Sequence, residues 1–246
     1  MDWVRSAAFN AWLVGATFVL GLIGIPLRWL IPGGALRLAQ VWAGVVLAGA
    51  RVLIGVRVEV TGREHLPLDG PMLIASQHQS AIDTLIWLRL VPRVSYVFKS
   101  ELARVPLFGP LLVPAGQIPV QRGGGVSAMK AFLNAGQRAV ADGRQIVIFP
   151  EGTRVAVGTA VRLRPGIALL AARTGLPIYP IATDSGRLWG RKAFRKRPGV
   201  VHVMIGPSIQ PGLPTNALLA QIQARWAECH ATRDAVDKSV YDTTSR

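Results

Sequence analysis

Apolar positions dominate the start of the chain. No charged residue occurs in residues 6–27, a stretch long enough to cross a bilayer, for which about 20 apolar residues suffice. Arg5 precedes it and Arg28 follows it, with Trp3 and Trp29 at the same two ends. Charged and aromatic side chains take such places at membrane interfaces. A turn is predicted at residues 31–34 by their Pro-Gly-Gly. A second apolar stretch, residues 38–50, is too short to span upright and ends at Arg51. The pattern predicts helix, turn, helix. Either the first helix spans, or the pair dips into one leaflet and returns; a buried hairpin of a soluble protein has the same pattern. A signal peptide fits less well, because no small-residue cleavage site leads into a polar segment.

After Arg57 the pattern changes to short β-branched runs separated by helical stretches. Candidate strands are 56–60, 72–76, 94–98, 146–149, 177–181 and 201–206, with a further short strand before Arg122. Pro177 and Pro180 bracket one of them and point to an edge strand or a bulge. Met129, Phe132, Leu133, Gly136 and Val140 recur near helical spacing, so 127–142 reads as a helix stopped by Gly143. Residues 84–90, 167–173 and 216–232 also read as helices, and the polar tail beyond Thr232 is expected to fray. This alternation predicts an α/β fold, a mixed central sheet flanked by helices and preceded by a membrane-associated helical hairpin.

Composition narrows the partners. Half of the 246 residues are hydrophobic and 17% are charged, yet the net charge is +15, with 23 Arg against 5 Lys. Such a chain seeks an anion: nucleic acid, an acidic lipid surface or a phosphorylated substrate. Residues 186–199 concentrate Arg187, Arg191, Lys192, Arg195, Lys196 and Arg197 around Trp189 and Phe194. That mixture suits single-stranded nucleic acid or an anionic membrane, and the hairpin favours the membrane. The single Cys229 excludes an internal disulfide and a thiolate metal cluster. No cluster of His, Cys or carboxylates suggests a metal site.

Four stretches carry candidate chemistry. His78 and Asp83 follow a predicted strand and flank the start of a helix. An Asp bonded to one imidazole nitrogen fixes the tautomer and makes the other nitrogen a better base. Ser80 and Asp83 equally suit a helix cap, which would leave His78 an ordinary loop residue. Phe149-Pro150-Glu151-Gly152-Thr153-Arg154 follows another strand, with a tight Gly-containing turn and an Arg fork suited to phosphate; alone it also reads as a surface turn. Residues 116–125 place Arg122 before three glycines, without the Lys-Ser/Thr of a P-loop. The fourth is the Pro-flanked strand.

Together and in this order, the four stretches resemble the lysophosphatidate acyltransferase family, the PlsC-like glycerolipid acyltransferases with an HX4D motif. His78 to Asp83 is that motif. Residues 116–122 resemble the second motif, with Pro119 where an aromatic residue is usual. Phe149 to Arg154 matches the third fully, and Pro177 to Pro180 resembles the fourth. The resemblance covers roughly residues 58–212. It implies a hairpin over 1–57 and an acyltransferase domain over 58–246. It implies transfer of a fatty acyl group from acyl-CoA or acyl-carrier protein to the sn-2 hydroxyl of lysophosphatidate, giving phosphatidate, without a cofactor. His78 would be the base and Asp83 its orienting partner; Lys99, Arg122, Glu151, Gly152, Thr153 and Arg154 would bind substrate, with Glu151 orienting the arginines or bonding the glycerol. Anionic lipids are the expected surface, nucleic acid is not an expected partner, and the expected location is the cytoplasmic face of a bacterial inner membrane. Another lysolipid or glycerol-3-phosphate is the alternative acceptor; lysophosphatidate is preferred because the chain is short and shows no extra soluble N-terminal domain. The alternative outside enzymes is a lipid or nucleic-acid binder, which has no need of the His–Asp pair. A serine hydrolase would show Gly-X-Ser-X-Gly, and none occurs.

Overall fold

A computed structural model describes residues 2–67, 69–121 and 123–244, with side chains through residue 235. Helices α1 (Asp2–Leu30) and α2 (Gly34–Gly49) form the hairpin, turning at Gly33 with φ +72°. One turn of π-helix, Ala50–Ile54, leads into strand β1, Val56–Thr61, which starts where the strand was expected. Then come β2 (Met72–Ser76), α3 (Ile82–Leu90), β3 (Val94–Lys99), the short α4 (Gly109–Leu112), β4 (Ile118–Val120) and α5 (Gly125–Ala141). The chain continues through β5 (Gln145–Ile148), α6 (Gly166–Thr174), β6 (Ile178–Thr183), β7 (Gly199–Ile205) and α7 (Thr215–Thr244).

The seven strands form one sheet in the order β1-β7-β6-β2-β5-β3-β4, parallel except where β6 meets β7. Strand β2 lies near the centre, buried at all five positions, as a parallel strand covered on both faces requires. Its alternation assigns the two cores. Met72 and Ile74 face a cluster shared with α1, α2 and α3; Leu73 and Ala75 face a cluster shared with α5, α6 and α7. The hairpin is part of the first core: Phe9, Ala43, Val46, Ala50 and Ile54 are buried with Ile74, Trp87 and Val147. Gly49 makes this packing possible, because a Cβ there would lie 2.3 Å from the Trp12 ring. Elsewhere on α1 the surface is open, with Val4, Val14, Phe18 and Ile23 exposed.

Three expectations are corrected. Strand β6 is central, between β7 and β2, and buried at all six positions, so its prolines do not mark an edge. Pro180 is tolerated because its N-side faces the end of β7: that strand stops at Ile205, and Gly206 N–H donates to Pro180 O at 2.9 Å. The tail beyond Thr232 continues as helix to Thr244, and Arg233 in it pairs with the buried Asp184 at 2.9 Å. The basic stretch is not uniformly a surface. Lys196 is 3% exposed and donates to Asn10 Oδ1 (2.5 Å) and Phe194 O (3.0 Å). Its ammonium stands over the Trp189 ring at 5.1 Å and the Phe9 ring at 5.7 Å. Trp189 itself is buried.

Candidate active site

Strands β6, β2, β5, β3 and β4 are neighbours and run parallel, so their carboxyl ends share one edge of the sheet, where open α/β sheets bind ligands. The loop after β2 holds His78. The loops on either side follow β5 and β6, the strands that flank β2. Strand order alone thus brings Phe149–Arg154 and Asp184–Gly186 beside His78, although they lie some 70 to 110 residues away in the chain.

His78 is held on every side. Its Nδ1 lies 3.2 Å from Asp83 Oδ2. Its ring stacks on Phe149, with centroids 4.0 Å apart and an interplanar angle of 20°. Its backbone N–H donates to Glu151 Oε2 at 2.5 Å, and its carbonyl accepts from Val155 N–H at 2.8 Å. The side chain is 18% exposed, and Nε2 has no hydrogen-bond partner among the described residues. The flanking glutamines fix the loop from the other direction. Gln79 Oε1 accepts from Gly186 N–H at 3.1 Å, and Gln77 Oε1 accepts from Thr183 N–H at 3.0 Å.

Asp83 is both cap and partner. The first helical residue is Ile82, one later than a Ser80 cap requires, and Ser80 Oγ accepts only a long bond from Ile82 N–H at 3.3 Å. Asp83 Oδ2 accepts from Gln79 N–H and Ser80 N–H, both at 2.8 Å, besides facing His78 Nδ1. The two readings of the motif are therefore one arrangement. A carboxylate in the first turn of a helix is favoured there, and its bonds to two amides fix the oxygen that meets the imidazole.

Glu151 is 7% exposed. Burial pushes its carboxyl up to about 8, the His78 N–H partly offsets this, and the Asp83 charge adds to it. Burial, and then the Asp83 charge, likewise raise the Tyr96 phenol well above its ordinary value, and its hydroxyl donates to Thr84 O. A second carboxylate beside Asp83 is disfavoured, so at neutral pH Glu151 is largely an acid.

Of the remaining expected residues, Lys99 and Gly152 line a cavity that Phe149 also lines. Gly152 has φ +71°, and the Arg164 side chain packs where its Cβ would stand, 2.4 Å from Nε. Thr153 is exposed and Arg154 half-buried. Lys99 ends β3 and pairs with Glu101 at 3.1 Å. Arg122 lies outside the described residues. That cavity, of about 260 Å³, connects several of these: Lys99, Gly123, Gly125, Pro150, Gly152 and Arg164 line it. A second cavity of about 190 Å³, almost wholly apolar, lies between the hairpin and the sheet, lined among others by Leu20, Trp42, Thr84, Tyr96 and Phe98. Sequence reasoning did not single out Arg164, Tyr96 or the two glutamines. An Arg directly before the Pro-Gly that opens α6 was the one available signal, for Arg164.

A family model described as acyltransferase matches residues 57–184. A Pseudomonas aeruginosa protein named 1-acyl-sn-glycerol-3-phosphate acyltransferase is 33% identical over 208 residues, covering 84% of this chain and 80% of that protein. The human 1-acyl-sn-glycerol-3-phosphate acyltransferase alpha is 27% identical over 87% of this chain and 73% of its own. The crystal structure of the Thermotoga maritima 1-acyl-sn-glycerophosphate acyltransferase PlsC shares the fold, with a TM-score of 0.75 at 17% identity over 94% of this chain and 96% of that one. The chain belongs to the acyltransferase family, in its PlsC-like lysophosphatidate acyltransferase branch.

Proposed function

We propose that this chain transfers a fatty acyl group from an acyl thioester, acyl-CoA or acyl-carrier protein, to the sn-2 hydroxyl of lysophosphatidate, forming phosphatidate for phospholipid synthesis. The observation that carries the reading is the His78–Asp83 pair, whose Nε2 has no hydrogen-bond partner among the described residues. Asp83 Oδ2 accepts a hydrogen bond from Nδ1–H, which keeps that proton on Nδ1 and leaves the lone pair on Nε2. That nitrogen takes the proton of the acceptor hydroxyl as its oxygen attacks the thioester carbonyl. The tetrahedral adduct then expels the thiolate, which recovers the proton from Nε2. Direct attack needs no enzyme nucleophile. Ser80 is fully buried at the helix start, and Cys229 lies against Gly206, whose Cβ would come 3.4 Å from its sulfur.

Arg122, Arg154, Lys99 and the Gly152 turn would hold the acceptor phosphate, with the 260 Å³ cavity receiving the headgroup. The apolar cavity beside Thr84 and Tyr96 suits a fatty chain. The hairpin brings the site to the lipid. Helix α1 touches protein along its length: Ser6 Oγ accepts from Lys196 N–H at 2.9 Å, and Arg28 donates to Pro110 O at 3.0 Å. Both α1 and the continuous helix 34–54 are apolar enough to cross a membrane. A helix with one face on protein throughout fits insertion into one leaflet better than upright crossing. Exposed Trp3 stacks on Phe194 at 5.5 Å beside Arg195, which suits anionic lipid at the cytoplasmic face of a bacterial inner membrane.

The test is to incubate purified protein with labelled lysophosphatidate, glycerol-3-phosphate and other lysolipids, each with acyl-CoA and with acyl-carrier protein. Phosphatidate formed from lysophosphatidate and abolished by His78→Ala is expected. Preferred use of another acceptor would reassign the substrate.

A further inference from the structure

Helix α7 lies on the face of the sheet opposite the hairpin and carries none of the motifs. Its inward face nonetheless grips the strand that delivers His78. Trp226, His230 and Arg233 are spaced four and three apart, so they project from one side of the helix. Trp226 Nε1–H donates to Ala75 O at 3.2 Å, inside β2. His230 Nε2 lies 2.9 Å from Gln77 Oε1, one residue before His78. Arg233 pairs with Asp184 at 2.9 Å, in the loop that Gln77 and Gln79 bind.

The Gln77 amide has a defined orientation. Thr183 N–H can only donate, so the atom facing it at 3.0 Å is the carbonyl oxygen. Its second lone pair then faces His230, which must place a proton on Nε2. Burial lowers the His230 pKa, against the opposing influence of Asp184; a neutral ring has one N–H, and this contact defines where it sits. The Gln77 backbone is fixed too, with its N–H donating to Ile181 O at 2.9 Å. Gln77 is thus tied to β6 by backbone and side chain, and to α7 by His230.

We infer that His230 is a positioning residue for acyl transfer: by fixing the Gln77 side chain from α7, it holds the peptide preceding His78 and so the imidazole itself. The inference rests on the reading of His78 as the base. His230 acts through Gln77 and touches no reacting atom. Its removal leaves Gln77 Oε1 with the Thr183 bond alone, so the loop loosens without losing a substrate contact. Misplacement of a catalytic group by about 1 Å costs up to about 10²-fold in rate; with the backbone bond to Ile181 and the Thr183 bond retained, a loss of about ten-fold in kcat is expected.

The experiment uses the full chain in mixed micelles with lysophosphatidate and acyl-CoA, and compares His230→Leu, His230→Gln, Gln77→Ala, the His230→Leu/Gln77→Ala pair and His78→Ala. His230→Leu should lower kcat about ten-fold, with both KM values within about two-fold of wild type. His230→Gln, whose amide N–H donates to the same oxygen, should recover most of the rate, and a Leu variant that fails to fold leaves this comparison intact. In the Gln77→Ala background His230→Leu should cost nothing further, since the route is already cut. Wild-type kcat in His230→Leu beside an inactive His78→Ala would overturn this inference alone. So would an equal loss with and without Gln77. An active His78→Ala would overturn the base reading and this inference with it.

Discussion

Replacing Glu151 separates two jobs that a motif carboxylate can do. It either grips substrate with its charge or holds His78 as a hydrogen-bond acceptor. Its Oε2 accepts the His78 N–H at 2.5 Å, it is 7% exposed, and its carboxyl is pushed up to about 8 by burial first, with Asp83 adding to the effect. Holding therefore needs an oxygen and no charge. Glu151→Gln keeps the oxygen and should retain kcat within about five-fold, with the acceptor KM unchanged. Glu151→Ala removes it and leaves a buried N–H unpaired, a cost of about 1–3 kcal/mol. If the loop shifts in response, kcat should fall on the order of 10²-fold. A Gln variant as damaged as the Ala variant, or one with a strongly raised acceptor KM, would refute the argument.

The same carboxyl ties stability to pH. Its ordinary value is 4.5 and its folded value about 8. Between these pH values the folded protein holds a proton that the unfolded chain releases. The stabilisation is fully present below pH 4.5 and is lost as pH rises through 8. A gap of three to four pH units, at about 1.4 kcal/mol each, sets an upper scale on the order of 5 kcal/mol. Glu151→Gln is neutral at every pH, so its stability relative to wild type should rise from pH 5 to about pH 8 and level off above it. Denaturant unfolding followed by tryptophan fluorescence at each pH measures this. A difference that stays flat over that range would show that Glu151 is ionised in the folded protein.

Other outcomes follow from the same contacts. His78→Ala should abolish turnover while membrane binding persists, and Asp83→Asn should lower kcat by about 10²–10⁴; near-normal turnover in a folded His78→Ala protein would refute the mechanism. Replacing Arg122 or Arg154 with Ala should raise the acceptor KM and spare the donor KM, with Lys rescuing only partly because it lacks the fork; steady-state kinetics in both substrates decides this. Neutralising Arg191, Lys192, Arg195 and Arg197 should remove a preference for anionic over neutral vesicles, about 1 kcal/mol per residue near the surface, without changing turnover on a short-chain soluble acceptor. Lys196→Met should instead destabilise the fold by about 1–3 kcal/mol, because it strips partners from Asn10 and Phe194 in a buried site; a denaturant midpoint equal to wild type would contradict this.

Much of the fold was legible because each element carries its own signal. The hairpin showed as charge-free runs around a Pro-Gly-Gly turn, and β2 as a run with both faces apolar. Where an expectation missed, a contact beyond the local window decided the outcome. Pro180 reads as an edge signal only while its neighbour is unknown; beside a strand that ends at Ile205 it forfeits little. Lys196 reads as one more surface charge among its neighbours 191–197. Asn10 and the Phe9 ring, nearly 190 residues earlier, draw it inward. The polar stretch after Thr232 reads as a fraying tail because the anchor for Arg233 is Asp184, in the loop after β6 and nearly 50 residues earlier.

The site divides in the same way. A motif names the residues that must meet, while strand order decides which of them touch. His78 and Asp83 are five apart, so their contact follows from one helix turn and was readable in the sequence. The partners of His78 beyond Asp83 follow from β2 lying between β5 and β6. That order sets Phe149 against the imidazole and Glu151 on its amide from one side, and Thr183 and Gly186 on the two glutamines from the other. An acidic residue in the third motif invites a role in charge recognition. Its position, inside the protein and facing a backbone N–H next to another carboxylate, converts it into a neutral acceptor. The loops after β5 and β6 then hold the histidine loop from either side along the sheet edge, and Nε2 is the one polar atom of the imidazole without a partner among the described residues. On the proposed mechanism, a base that must meet an acceptor hydroxyl is thereby oriented before substrate arrives, which is the condition under which proximity contributes most to rate.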